Sequence, residues 1–183
     1  MNKSIIFISG WAVPGWLAKS RFVWDERLWS DYECLWLDSR TPASDWMIKY
    51  ELDRLQRIVE SRPGCALIGQ SLGGWWAANL ALRFDVSIKK LALWTPVCDA
   101  SAYPIFKASR EFHPPLQFRT QNHGPARVLT LTANQDLIVP PDAHGHELSK
   151  HFDSMTYKLK GGHLYQSNHK AALQYMKDWI ETE

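Results

Sequence analysis

The sequence predicts an α/β domain built on about six mostly parallel strands, with helices on both faces of the sheet. Three observations carry that expectation. Short apolar runs alternate with helical patterns along the chain, the arrangement of a parallel sheet with crossover helices. The first four runs are unbroken by polar residues, as befits strands buried on both faces. Gly, Pro, Asp or Ser bounds each run, where the chain has to turn.

In chain order, strands are expected at "SIIFIS" (4–9), "CLWLD" (34–38), "CALIG" (65–69), "KLALWT" (90–95), "RVLTLT" (127–132) and "MTYKLK" (155–160). Ile48, Leu52, Leu55 and Val59 recur at spacings of four, three and four, one face of a helix over 45–61 that "RPG" at 62–64 stops. Residues 72–84 are apolar nearly all round, so that helix belongs at the centre. Leu173, Met176 and Ile180 mark the inner side of a surface helix over 168–181, and Pro140 with Pro141 opens another helical stretch. The interval 99–125 breaks the rhythm with Pro104, Pro114, Pro115 and Pro125. It reads as a lid-like excursion with a short helix near 102–111, or as a solvated crossover.

With 183 residues and no linker, repeat or low-complexity segment, a single domain over 1–183 is expected. A net charge of +2 and the lack of any Lys/Arg run exclude a nucleic-acid footprint, and Lys89-Lys90 reads as a solvated strand end. No run of 18 apolar residues argues for a membrane span, and Ile5–Ile8 is too short for a signal segment. Cys34, Cys65 and Cys98 lie in or beside apolar runs without CxxC spacing, so they read as reduced, buried thiols of a cytoplasmic protein. Ten tryptophans are many for this length; they suit core filling, or the walls of a pocket.

The chemistry concentrates at "LIGQSLGGWW" (67–76). Gly-x-Ser-x-Gly between a strand and a helix is a nucleophile elbow, a sharp turn that lifts the Ser71 hydroxyl into the open. Gly69 and Gly73 relieve the crowding of strand against helix there. A serine hydroxyl needs a base, and the base needs a carboxylate to orient it. Both are expected after later strands, in the order acid then histidine. Asp136 in "TANQDLIVPP" and His163 in "KGGHLY" meet that demand, with Asp99 after the fourth strand as a rival acid.

The oxyanion formed by attack on a carbonyl needs fixed donors, expected from the backbone N–H groups of Leu72 and Trp11. Trp11, Trp75, Trp76 and Trp94 are candidate walls of the acyl pocket. Asp142, His144 and His146 have metal-like composition, but His-x-His without a third spaced ligand reads as surface histidines, and no metal or cofactor is expected. His113, His123, His151 and His169 occupy ordinary polar contexts.

From "FISGW" through "GQSLGG" and "NQDLIVP" to "GGH", the chain resembles α/β-hydrolase-fold serine hydrolases over nearly its whole length. Gly-Trp after the first strand and Ser-Leu-Gly-Gly at the elbow are similar to the carboxylesterases that demethylate pimeloyl-acyl-carrier-protein methyl ester. The resemblance implies a triad of Ser71, Asp136 and His163, with Trp11 and Leu72 at the oxyanion hole. It departs from that family at Ser9-Gly10, where many relatives have His-Gly, and at 99–125, too short for their helical cap. The first two strands of the full fold also have no counterpart, which implies a minimal, nearly cap-less member.

The expected reaction is hydrolysis of an ester or thioester. Arg110, Arg119 and Arg127 offer a basic rim for an acidic acyl carrier protein, or are solvated surface. A non-catalytic binding module and a lyase using the same three residues are the alternatives.

Overall fold

Six strands, β1 (Ser4–Ile8), β2 (Glu33–Leu37), β3 (Cys65–Gln70), β4 (Ile88–Trp94), β5 (Arg127–Ala133) and β6 (Met155–Leu159), form one parallel sheet in the order β2-β1-β3-β4-β5-β6. The computed structural model describes residues 3–11, 26–40, 44–83, 87–99, 127–163 and 166–182. Among the described residues, four helices accompany the sheet: α1 (Asp45–Glu60), α2 (Leu72–Arg83), α3 (Gly145–Phe152) and α4 (His169–Glu181), with a 3-10 turn at Glu26–Trp29.

Strand parity sorts the core into two layers. Ile6, Ile8, Leu67, Leu91 and Leu93 face α1 and α2, while Ile5, Phe7, Ile68, Ala92 and Leu131 face α4. Along β1, β3 and the end of β4 both faces are covered, so neighbouring residues there are apolar without polar alternation. By contrast β2, expected to be buried on both faces, lies at the sheet edge and is only partly buried. Ser44 starts α1 by accepting the Met47 N–H on its side chain at 3.3 Å. Leu52, Leu55 and Val59 then lie in the layer beneath, as their spacing predicts.

Two readings of individual residues need correction here. Trp75, Trp76 and Trp94, expected as pocket walls, are at most 1 % exposed and belong to the core. Trp75 and Trp76 fill the layer under α2, and Trp94 fills the layer under α4. Each contributes on the order of 2–3 kcal/mol through the apolar area it removes from water. Lys90 is likewise no solvated strand end. It shares the face of Ala92 and Trp94, and its ammonium donates to the carbonyls of Trp179 and Thr182, both at 2.9 Å. A cation thus caps the C-terminal end of α4, where the helix dipole favours positive charge. Lys89 beside it points the other way and is exposed.

Sheet order also says where a site belongs. The chain leaves β1 for β2 on one side and returns past it to β3 on the other. Loops after β1 and β3 therefore diverge, opening a crevice at their carboxyl ends. Ser9 and Gly10 stand on one side of it, Ser71 on the other.

Candidate active site

Ser71 follows the last residue of β3 and precedes the first of α2. Its φ of 55° is a left-handed conformation that an L-residue adopts only under constraint. The constraint is visible in its backbone bonds. The Ser71 N–H donates to the Trp94 carbonyl at 2.9 Å, and its own carbonyl accepts from Gly74 at 2.9 Å and Val97 at 3.0 Å. A β-carbon on Gly69 would overlap the Gly73 carbonyl, and one on Gly73 would overlap the carbonyls of Ile8 and Ser9. Only glycine permits strand, turn and helix to close this tightly.

The acid loop follows β5. Asp136 Oδ1 accepts the Ile138 and Val139 N–H groups at 3.0 and 2.7 Å, a local turn that fixes the carboxylate. Its other oxygen, Oδ2, lies 2.7 Å from His163 Nδ1. His163 follows β6, after Gly161 at φ 112° and Gly162. Its Nε2 lies 2.9 Å from Ser71 Oγ. Three side chains that the sequence places in separate loops are thus joined in one line. Asp136 and His163 are 3 % and 8 % exposed, a dry setting in which their bond gains strength.

The two loops are also tied to each other. The Gly161 N–H donates to Asn134 Oδ1 at 3.0 Å, and the Gln135 N–H to the Gly161 carbonyl at 3.0 Å. An open groove of about 510 Å³ borders them, lined by Asn134, Gln135, Lys160, Gly161, Gln166 and Ser167.

Asp99, the rival acid, meets a different histidine. His144 Nδ1 accepts the backbone N–H groups of Cys98 at 3.1 Å and Asp99 at 3.4 Å. A ring nitrogen that accepts carries no proton, so the fold holds this imidazole neutral. Burial lowers its pKa, against the opposing charges of Asp99 and Asp136. His144 is therefore buried and structural rather than the surface histidine expected. Its neighbour His146 is partly exposed and pairs with Asp142 at 2.9 Å, and among the described residues no three His, Cys, Asp or Glu could hold a metal.

Trp11 and Leu72 both reach the crevice by position. Trp11 follows Gly10, where an added β-carbon would stand 3.2 Å from Ser71 Cβ and 3.7 Å from its Oγ. Of the four candidate pocket tryptophans, Trp11 at 39 % exposure is the one with open surface. Arg127 is not at the mouth. It begins β5, at the end of the sheet opposite the site, and reaches Thr182 Oγ1 at 3.4 Å. Arg110, Arg119, His113, His123 and nearly all of the 99–125 excursion lie outside the described residues. The cysteines are free thiols, Cys65 buried and Cys34 and Cys98 partly so. No described helix is long and apolar enough to cross a membrane.

Sequence reasoning missed Gln166. Its amide reaches the His163 loop and a core indole, a link between residues too far apart for any spacing rule to find.

No protein-family model matches the sequence, and no curated protein matches it. Solved structures do resemble it. The ydeN gene product of B. subtilis superposes with a TM-score of 0.72 at 14% identity, covering 100% of both chains. A Xanthomonas campestris protein described as a hydrolase of the alpha/beta superfamily gives 0.70 at 17% identity, over 98% of this chain and 99% of that one. The monoacylglycerol lipase of Paleococcus ferrophilus gives 0.69 at 13% identity, over 97% and 93%. Strand order, elbow and full-length superposition together establish that the chain adopts the α/β-hydrolase fold.

Proposed function

We propose that this chain is a serine hydrolase of carboxylic esters or thioesters, acting through an acyl-enzyme on Ser71. The single observation that carries the reading is the hydrogen-bonded line Ser71–His163–Asp136, at 2.9 and 2.7 Å. His163 Nε2 takes the Ser71 proton as Oγ bonds to the substrate's carbonyl carbon. Asp136 holds the ring so that Nδ1 carries its proton and Nε2 stays free to accept. The carbonyl oxygen becomes negative and is met by the Leu72 and Trp11 N–H groups, each worth about 3 kcal/mol in the transition state. The tetrahedral species collapses, and the leaving alcohol or thiol departs with the proton from His163. Water then attacks the acyl-enzyme with His163 again as base, releasing the acid and restoring Ser71.

Support for an acyl substrate comes from the site itself and from the lipase among the structural neighbours. The narrower candidate, a pimeloyl-acyl-carrier-protein methyl ester, is supported by the Gly-Trp and Ser-Leu-Gly-Gly motifs, no longer by Arg127. A cytoplasmic setting fits the free thiols.

A fluorophosphonate probe tests the reaction class, with labelling expected for the native chain and none for Ser71→Ala. Equal labelling of both, or of neither, removes the proposal. A panel of p-nitrophenyl esters of graded chain length, then complementation of a strain lacking the methyl esterase, reads the substrate.

A further inference from the structure

We infer that Gln166 is a positioning residue that fixes the His163 loop to the core of the sheet; the inference rests on His163 being the general base. Gln166 Nε2 donates to the His163 carbonyl at 2.8 Å and to the Gly162 carbonyl at 3.2 Å. Its Oε1 accepts the indole N–H of Trp94 at 3.3 Å. The chemistry leaves no ambiguity in the orientation of this amide. Carbonyls only accept and an indole nitrogen only donates, so the NH₂ must face the loop and the oxygen must face Trp94.

Trp94 makes a firm anchor. It is the last residue of β4, fully buried, and its carbonyl holds the Ser71 N–H at 2.9 Å. One residue therefore steadies the nucleophile through its backbone and the base through its side chain, with Gln166 as the connection. The loop needs such a tie because Gly161 and Gly162 give it little stiffness of their own. Without it the imidazole is freer to leave the line between Asp136 Oδ2 and Ser71 Oγ. A displacement near 1 Å is enough to lower a rate by about a hundredfold.

The expectation differs from that for a merely structural residue. Gln166→Met keeps length and removes both donors and the acceptor. Gln166→Glu keeps the acceptor for Trp94 and removes the donors. Trp94→Phe removes the indole N–H and keeps a ring in the core.

Rates are read well below each variant's melting temperature, as kcat and KM on a p-nitrophenyl ester and as fluorophosphonate labelling of Ser71. Each variant should lose roughly ten- to a hundredfold in kcat and in labelling rate, with KM within about twofold. Gln166→Met combined with Trp94→Phe should be little worse than either alone, since both cut one connection. Native labelling rates in the Gln166 variants, or losses confined to KM or melting temperature, overturn the inference while leaving the Ser71 reading intact. If the native chain itself does not label, the Ser71 reading falls and takes this one with it.

Discussion

Asp136 divides its two oxygens between His163 and its own loop: Oδ2 meets the imidazole at 2.7 Å, and Oδ1 holds the Ile138 and Val139 N–H groups. Orientation of the ring and shape of the loop thus depend on one carboxylate. Asp136→Asn can keep the loop bonds through its carbonyl oxygen but must present NH₂ to Nδ1, forcing the wrong tautomer. The kcat should fall by about 10⁴ with little change in melting temperature. Asp136→Ala loses the loop bonds as well and should cost a further ~1–2 kcal/mol of stability. Steady-state kinetics beside urea unfolding checks both; near-native activity in Asp136→Asn would show that another acid serves.

Two glycines separate folding from chemistry. Gly73→Ala drives a methyl into the Ile8 and Ser9 carbonyls and should destabilise the chain by about 1–3 kcal/mol or more. Gly10→Ala meets the Ser71 side chain first, 3.2 Å from Cβ and 3.7 Å from Oγ, and touches the Gln70 carbonyl only at an ordinary 3.6 Å. It should fold nearly as the native chain does and lose at least tenfold in kcat/KM, a modest disturbance of reacting geometry. Urea midpoints and ester hydrolysis on the same preparations distinguish the two, and a reversed ranking would contradict the geometry.

His144 sets a pH dependence of stability. Between its lowered folded pKa and the ordinary 6.5, the unfolded chain binds more protons than the folded one. Its contribution is therefore complete above pH 6.5 and is lost as pH falls toward the folded value. His144→Gln supplies an acceptor that does not titrate. Its urea midpoint should decline less than the native one between about pH 7 and pH 5. Identical slopes would assign the acid sensitivity to other groups.

Lys90→Met keeps the apolar stem and removes the donor to the Trp179 and Thr182 carbonyls. A loss of roughly 1–3 kcal/mol is expected, with early hydrogen exchange in α4. Specific activity of the folded fraction should be unchanged, because the residue acts at the other end of the sheet. A stability equal to the native chain's would mean that water satisfies those carbonyls.

Much of the fold was legible because strands buried on both faces leave unbroken apolar runs, and their edges fell within a residue or two of the observed ones. The line from Ser71 to Asp136 was legible for a different reason: the elbow dictates where its partners must emerge along the sheet. Lys90 was misread although parity held the clue, since it alternates with Lys89 and shares a face with Ala92 and Trp94. Trp75 and Trp76 follow the serine in sequence, yet a helix entering the core turns such neighbours away from solvent. His144 carried no clue at all. Its polar surroundings in "DAHGHE" suggest surface, and the backbone groups it receives lie 45 and 46 residues earlier.

The bonds between the loops after β5 and β6 hold acid and imidazole in a fixed relation to each other. The spacing from ring to serine oxygen is set separately, through Trp94, whose carbonyl receives the Ser71 N–H and whose indole reaches the His163 loop by way of Gln166. A substitution that loosens one of these two spacings should therefore leave the other in place.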